Sequence, residues 1–372
     1  MGCQTINNNS FNGHKTCASR SRPWLRIVAG IFVALFASAA PRITTVVELK
    51  VSSTRFFDRQ EGWAIGAGPS LLRTVDGGSS WKPVKIIIHG RDTGAEIRGT
   101  YFVSARAAWV KLARGNGLDE RLGVALEFVS THDGGVTWEE EALPGVAWFF
   151  DSLSATDEPK GPLWLGGQVS QERDAPAEEM ECPQRVTGFT WIPTIYFRPA
   201  PGSNWEEQRL PVQNGCPVSM IRFLDKLRGV AIAGSAILFS EDSGRHWQRG
   251  TIHSSKKINT VVSLQLRGRQ GWIGCDGGEI LHTVDGGQHW QEIVKSGAIW
   301  SKAKGFGSWG TVYFTSAQTG FTLGGAGELF GTTDRGKTWS RVELPERIVN
   351  VSCAENVCWL ASEGKLYRLE AE

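Results

Sequence analysis

A string of the form Ser/Thr-x-Asp-x-Gly-x-x-Trp recurs along this chain, and nothing else in it constrains the fold as much. Complete copies are Thr74/Asp76/Gly78/Trp81, Thr131/Asp133/Gly135/Trp138, Ser240/Asp242/Gly244/Trp247, Thr283/Asp285/Gly287/Trp290 and Thr332/Asp334/Gly336/Trp339. A sixth copy is eroded: Arg198 and Ala200 replace the hydroxyl residue and the Asp, while Gly202 and Trp205 survive. Self-similarity at a period of a few tens of residues specifies repeated units that stack or close into a ring, because no unit can bury its apolar face alone.

A second landmark selects the architecture. Ahead of each box lies a short apolar strand, usually with a Trp and a small residue at its end. These are Gly62–Gly66, Ala108–Val110, Leu163–Gly166, Gly229–Gly234, Gly271–Gly274 and Gly320–Gly324. A seventh, Cys358–Ala361, has no box after it. Eleven of the 16 Trp residues occupy one of these two periodic positions, which marks them as packing devices between stacked sheets. The unit around the fifth strand divides into Thr260–Leu266, Gly271–Gly274, Glu279–Thr283 and His289–Ile293, with Gly- and Asp-rich turns between. Four short antiparallel strands, repeated radially, make a propeller blade. Long amphipathic helical patterns are absent, which excludes an α-solenoid.

The box has a local physical reason. It falls on the turn between the third and fourth strands, where an Asp carboxylate can accept backbone N–H bonds and Gly supplies positive φ. Asp76, Asp133, Asp242, Asp285 and Asp334 are therefore read as structural and not as catalytic carboxylates.

Six units end in a box, and the seventh stops after a third strand at Gly364–Leu369. An open edge would leave a row of unpaired backbone groups. The β-branched, alternating segment Ile43–Val51 is the candidate fourth strand. The expected fold is thus all-β: a seven-bladed propeller of four-stranded antiparallel blades, closed by an N-terminal strand, spanning residues 43–372 and monomeric. That span averages about 47 residues per blade, within the range of such repeats.

Residues 1–42 read as a secretory signal or a membrane anchor. Met1–Arg22 is polar and basic, Leu25–Ala40 is predominantly apolar, and the first acidic residue is Glu48. An apolar run of that length is short for a span, which needs about 20 residues. The chain is accordingly expected to be exported, to a periplasm or thylakoid lumen, with membrane association through this segment as the alternative. Export permits disulfides. Cys353 and Cys358 flank a four-residue turn and are expected to pair; Cys182 and Cys216 are a looser candidate pair, which leaves Cys275 over.

Chemistry-bearing motifs are few. Gly305–Gly310 matches G-x-G-x-x-G, but a strand-like run, Thr311–Thr315, follows where a dinucleotide site needs a helix. The Cys and His spacings give no zinc site, so neither metal nor cofactor is expected. A formal charge of +2 on an exported chain also argues against nucleic acid.

The boxes resemble the BNR repeats of sialidases, which keeps a glycoside hydrolase or carbohydrate-binding protein as the alternative function. Sialidases are similar in using six blades, three arginines and a Tyr nucleophile supported by Glu. Here seven blades are expected, and Tyr101, Tyr196, Tyr313 and Tyr367 show no Glu partner in the sequence. A single ring with Gly-Trp strands and Thr-x-Asp-Gly-Gly-x-x-Trp boxes behind an export signal resembles the photosystem II stability/assembly factor family. That resemblance covers nearly all of Ile43–Glu372. It implies a non-catalytic scaffold that holds membrane-protein subunits during assembly, through an arginine-bearing face. Two departures are the insertion at about 167–190 and the eroded box at Arg198–Trp205.

Box turns share one face of a propeller, and the connections between blades lie on the other. Binding residues concentrate on such loops. The elongated ones carry Arg91 and Arg98 between blades 1 and 2, Arg114 and Arg121 within blade 2, and Trp300, Lys302 and Trp309 between blades 5 and 6. Together they form the expected partner-binding surface, suited to acidic protein segments.

Overall fold

The computed structural model describes residues 42–370, except 67, 69, 114–125, 145–149, 157, 159–160, 173–188, 213–215, 259, 296–310 and 325. Seven antiparallel sheets follow one another in the chain, each running from a first, inner strand to an outer one. The inner strands are Val51–Phe56, Glu96–Phe102, Phe150–Ala155, Val218–Phe223, Val261–Arg267, Thr311–Phe314 and Ile348–Ala354 for blades 1 to 7. The second strands carry the Gly-Trp landmark and are almost wholly buried, as in Gly62–Gly66, Gln270–Cys275 and Val357–Ser362.

Closure occurs as expected, with one difference in its bounds. Arg42–Glu48 pairs antiparallel with Lys365–Glu370 and becomes the outer strand of blade 7. The expected strand through Val51 is interrupted at Leu49 and Lys50, and Val51 already begins the inner strand of blade 1. The chain must cross there from the rim of one blade to the hub of the next, so one strand cannot serve both. Leu49 N–H bonds to the Gly364 carbonyl at 2.9 Å and fixes the crossing.

Two additions were not legible in the repeat. Thr251–His253 lies parallel to His289–Gln291 and gives blade 5 a fifth strand that covers its outer edge. Ile87–Ile88 and Arg91–Asp92 form a small hairpin in the connection between blades 1 and 2. In blade 3 the ends of the expected insertion are strand: Leu163–Glu172 and Phe189–Arg198 pair along their whole length.

Ring stacking ties blade to blade. Trp359 of blade 7 stacks on Phe56 of blade 1, Trp63 on Phe102, Trp164 on Phe223 and Trp272 on Phe314, each time reaching the inner strand of the next blade. The positive-φ box glycines are tight for the same reason. A Cβ at Gly78 would lie 2.8 Å from Leu366 of blade 7, and one at Gly287 2.8 Å from Val230 of blade 4. Each box thus packs against the preceding blade as well as closing its own turn.

Candidate functional site

The box turns themselves are locked. Thr74 Oγ1 donates to Asp76 Oδ1 at 2.8 Å and accepts from Gly78 N–H, while Asp76 accepts from Ser80 N–H and, at 2.6 Å, from Ser80 Oγ. Asp133, Asp242, Asp285 and Asp334 repeat the pattern, with Thr137, His246, His289 and Thr338 in place of Ser80. Hydrogen bonds from Ser80 and Thr74 bring the Asp76 pKa down to about 2. At Asp285 burial pushes upward, and bonds from His289 and Thr283 outweigh it, again giving about 2. These carboxylates have spent their acceptor capacity on the turn. In the eroded box, Arg198 instead pairs with Glu141 at 2.7 Å, lies over the Trp205 ring, and is buried.

The box turns lie against the turns between first and second strands, as when Gly77 N–H bonds to Gln60 O and Ser243 N–H to Leu227 O. Both kinds of turn therefore share one face. Near it the inner strands enclose a cavity of about 590 Å³ at the hub, lined by Arg55, Arg222, Gln265, Tyr313 and Cys353 among others. Among the described residues no Asp or Glu lines it.

The hub is cationic because of where the sequence places two arginines. Across the ladder between first and second strands, Arg55 pairs with Trp63 and Arg222 with Val230, the landmark positions of blades 1 and 4. In blades 3, 5 and 7 the corresponding residue bridges to the next inner strand. Ser352 Oγ accepts from Phe56 N–H at 2.7 Å, Ser154 Oγ from Phe223 N–H at 2.8 Å, and Gln265 Oε1 from Phe314 N–H at 2.5 Å. An arginine is too long to make that short bridge and extends into the channel. Both arginines are exposed to the solvent of the channel, with protein atoms of the surrounding blades close about their guanidinium groups. Desolvation by those atoms draws both pKa values down, Arg222 to about 10, with the like charge of Arg55 contributing. Arg222 donates to the Leu153 and Ile221 carbonyls, and Arg55 lies 5.6 Å from the Phe57 ring centroid. Neither makes an ion pair among the described residues. Two guanidinium groups at a cavity where the described residues offer no carboxylate favour an anion, which arginine holds with paired N–H donors.

The residues expected from sequence lie elsewhere. Arg91 is exposed on the hairpin beside a second cavity of about 580 Å³, where Asp92, Glu96, Glu127 and Glu140 mix the charge. Arg98 is paired with Glu96 at 3.1 Å. Arg114, Arg121, Trp300, Lys302 and Trp309 lie outside the described residues, as does most of the 167–190 insertion. Sequence reasoning missed Arg55 and Arg222. Their signal is positional: a long cation directly opposite the Gly-Trp landmark, one residue before the inner strand ends.

Cys353 and Cys358 are joined by a disulfide, directly opposite each other in blade 7. Cys216 is also disulfide-bonded, while Cys182 lies outside the described residues. Cys275 is a buried free thiol whose pKa is pushed up by burial and by Glu279, Asp276 and Glu292. No group of His, Cys, Asp or Glu able to hold a metal ion occurs among the described residues, and no helix among them is long and apolar enough to cross a membrane.

One expectation about the tyrosines is corrected. Tyr367 does have a Glu partner: its hydroxyl donates to Glu346 Oε1 at 2.5 Å. The two lie far apart in sequence, so spacing did not reveal them. Burial and the bond to Glu346 raise the Tyr367 pKa to about 12, which is the wrong direction for a nucleophile. Burial likewise raises Tyr196 and Tyr313 to about 12, the latter partly offset by Arg55.

Comparison with known proteins agrees with this geometry. Residues 199–299, the end of blade 3 and the strands of blades 4 and 5, match the family model of photosynthesis system II assembly factor YCF48. Over those residues the chain is similar to the YCF48 family, and its described residues fold as a seven-bladed propeller with BNR-type boxes. A structure of YCF48 bound to a D1 peptide superposes with a TM-score of 0.56 at 18% identity, covering 90% of this chain and 97% of that one. YCF48 from Cyanidioschyzon merolae gives 0.53 at 16%, covering 89% and 99%. A GH74 xyloglucanase from Xanthomonas campestris gives 0.55 at 13%, covering 88% of this chain and 53% of the enzyme. At these identities the likeness to solved structures is one of fold. No curated protein matches the sequence.

Proposed function

We propose that this YCF48-like propeller is an exported, non-catalytic scaffold that holds a membrane-protein subunit during assembly of a photosystem-type complex. The observation that carries this reading is the hub, where Arg55 and Arg222 face a cavity with no carboxylate among the described residues. Such a site takes an acidic side chain or a chain-terminal carboxylate, and the YCF48 solved with a D1 peptide supplies a relative that binds a subunit segment. Residues 1–42 serve as the export signal or tether, and the loop-rich face around Arg91 and Arg98 is a second contact surface. The hydrolase alternative is less well supported, because Tyr196, Tyr313 and Tyr367 have raised pKa values and the xyloglucanase neighbour is more distant in sequence.

Affinity purification from detergent-solubilised membranes tests the proposal, alongside assays on fluorogenic glycosides. A scaffold is expected to retain membrane subunits and to turn over no glycoside. Glycoside turnover abolished by one carboxylate substitution, with no subunit retained, overturns it.

A further inference from the structure

The hub carries a second chemistry. Cys353 sits on the inner strand of blade 7 and lines the same cavity as Arg55, Arg222 and Tyr313. It is partly exposed, whereas Cys358, directly across the ladder, is fully buried. The other described cysteines have no such access: Cys216 and Cys275 are both buried. We infer that Cys353–Cys358 is a redox-reactive disulfide, reached by small anionic thiols through the cationic channel.

Three features of the site support this. A thiolate attacks along the S–S axis and needs an open approach to one sulfur, which the cavity gives at Cys353 and the core denies at Cys358. The attacking species is an anion, and two guanidinium groups that make no ion pair among the described residues, gathered at one cavity, raise its local concentration. Among the described residues the wall carries no carboxylate to repel it. Reaction forms a bond between the incoming sulfur and Cys353 Sγ and breaks the bond to Cys358 Sγ. The electron pair leaves on Cys358, which takes up a proton in its apolar surroundings. A second thiolate then attacks the outer sulfur of the mixed disulfide. It departs as a small-molecule disulfide, and Cys353 is left as a thiol. Two thiols are oxidised to one disulfide, and the protein disulfide is reduced by two electrons.

Charge selectivity distinguishes this from ordinary surface reduction. The full-length protein is treated under native conditions with 2-mercaptoethanesulfonate or with cysteamine, and adducts are mapped by mass spectrometry. Each rate is divided by the rate of the same thiol on the unfolded chain, which removes intrinsic nucleophilicity. The sulfonate is expected to react about tenfold faster or more by this measure, to mark Cys353 and not Cys358, and to lose its advantage in high salt. The double variant Arg55→Gln/Arg222→Gln is expected to abolish the preference. Equal normalised rates in the native wild-type protein, adducts on Cys358, or a preference untouched by salt overturn the inference. The salt arm needs no variant, so the test survives even if the double substitution fails to fold. It is also independent of partner capture: a protein that binds no subunit can still show the selectivity.

Discussion

Trp359 of blade 7 lies flat on Phe56 of blade 1, with ring centroids 3.7 Å apart and planes within 3°. Its indole N–H also reaches across the seam, donating to Gly77 O in the first box at 2.9 Å. The last blade and the first are therefore joined by the same device that joins neighbours in sequence, as with Trp164 on Phe223. Trp359→Ala removes a fully buried ring and leaves the Gly77 carbonyl without this donor. A loss of about 3–5 kcal/mol is expected, read from denaturant midpoints at unchanged m-value. A loss under about 1 kcal/mol would mean that closure rests elsewhere.

The other half of closure is the strand Arg42–Glu48. Starting the chain at Lys50 uncovers the edge of Lys365–Glu370 and removes Ile43 from the cluster containing Leu369 and Tyr367. A sharply lower melting temperature and concentration-dependent association through the bared edge are expected. A truncated chain that melts with the full one, and stays monomeric by light scattering, sinks the closure argument.

These two features differ in how readily the sequence discloses them. The boxes and Gly-Trp strands are legible because each is a local pattern whose spacing is set by one turn or one strand. The closing strand is legible as an absence: a seventh unit short of one strand, with a β-branched segment spare at the other end. The hub is not legible in that way. Arg55 and Arg222 come from blades 1 and 4, and only the closed ring brings them into one channel. Neither belongs to a recurring motif. The pairing of Tyr367 with Glu346 escaped for the same reason, since the connection between blades 6 and 7 carries Glu346 back over the third strand of blade 7.

The box carboxylates predict an acid dependence. Asp76, Asp285 and Asp334 are held at about 2, below the ordinary carboxylate value of about 3.9. Folded pKa values below unfolded ones mean stability that is present above pH about 4 and lost as pH falls through about 2. Asp285→Ala is expected to cost about 1–3 kcal/mol at pH 7 through its lost bonds to Gln288, His289 and Thr283. The gap from wild type should narrow as pH falls from 4 to 2, where the wild-type carboxylate is itself protonated. A gap that stays constant over that range would show that the ionised form is not what holds the turn.

The two candidate faces make opposite predictions about capture. If the hub takes the carboxylate, Arg55→Gln/Arg222→Gln should weaken binding of an acidic peptide about tenfold or more, because bonds to charged groups are worth about 1.5–3 kcal/mol each. Thermal stability should fall only modestly, since neither arginine makes an ion pair among the described residues and Arg222 gives up only its bonds to the Leu153 and Ile221 carbonyls. Arg91→Glu/Arg98→Glu reverses charges on the loop-rich face, where Arg98 already has Glu96 at 3.1 Å and exposed pairs contribute little. That variant should lower the salt dependence of capture and leave most of the affinity at physiological salt. Isothermal titration at low and high salt separates the outcomes. Should the loop-face variant lose capture while the hub variant keeps it, the partner docks where the long connections are, and the cationic channel serves only the chemistry of its disulfide.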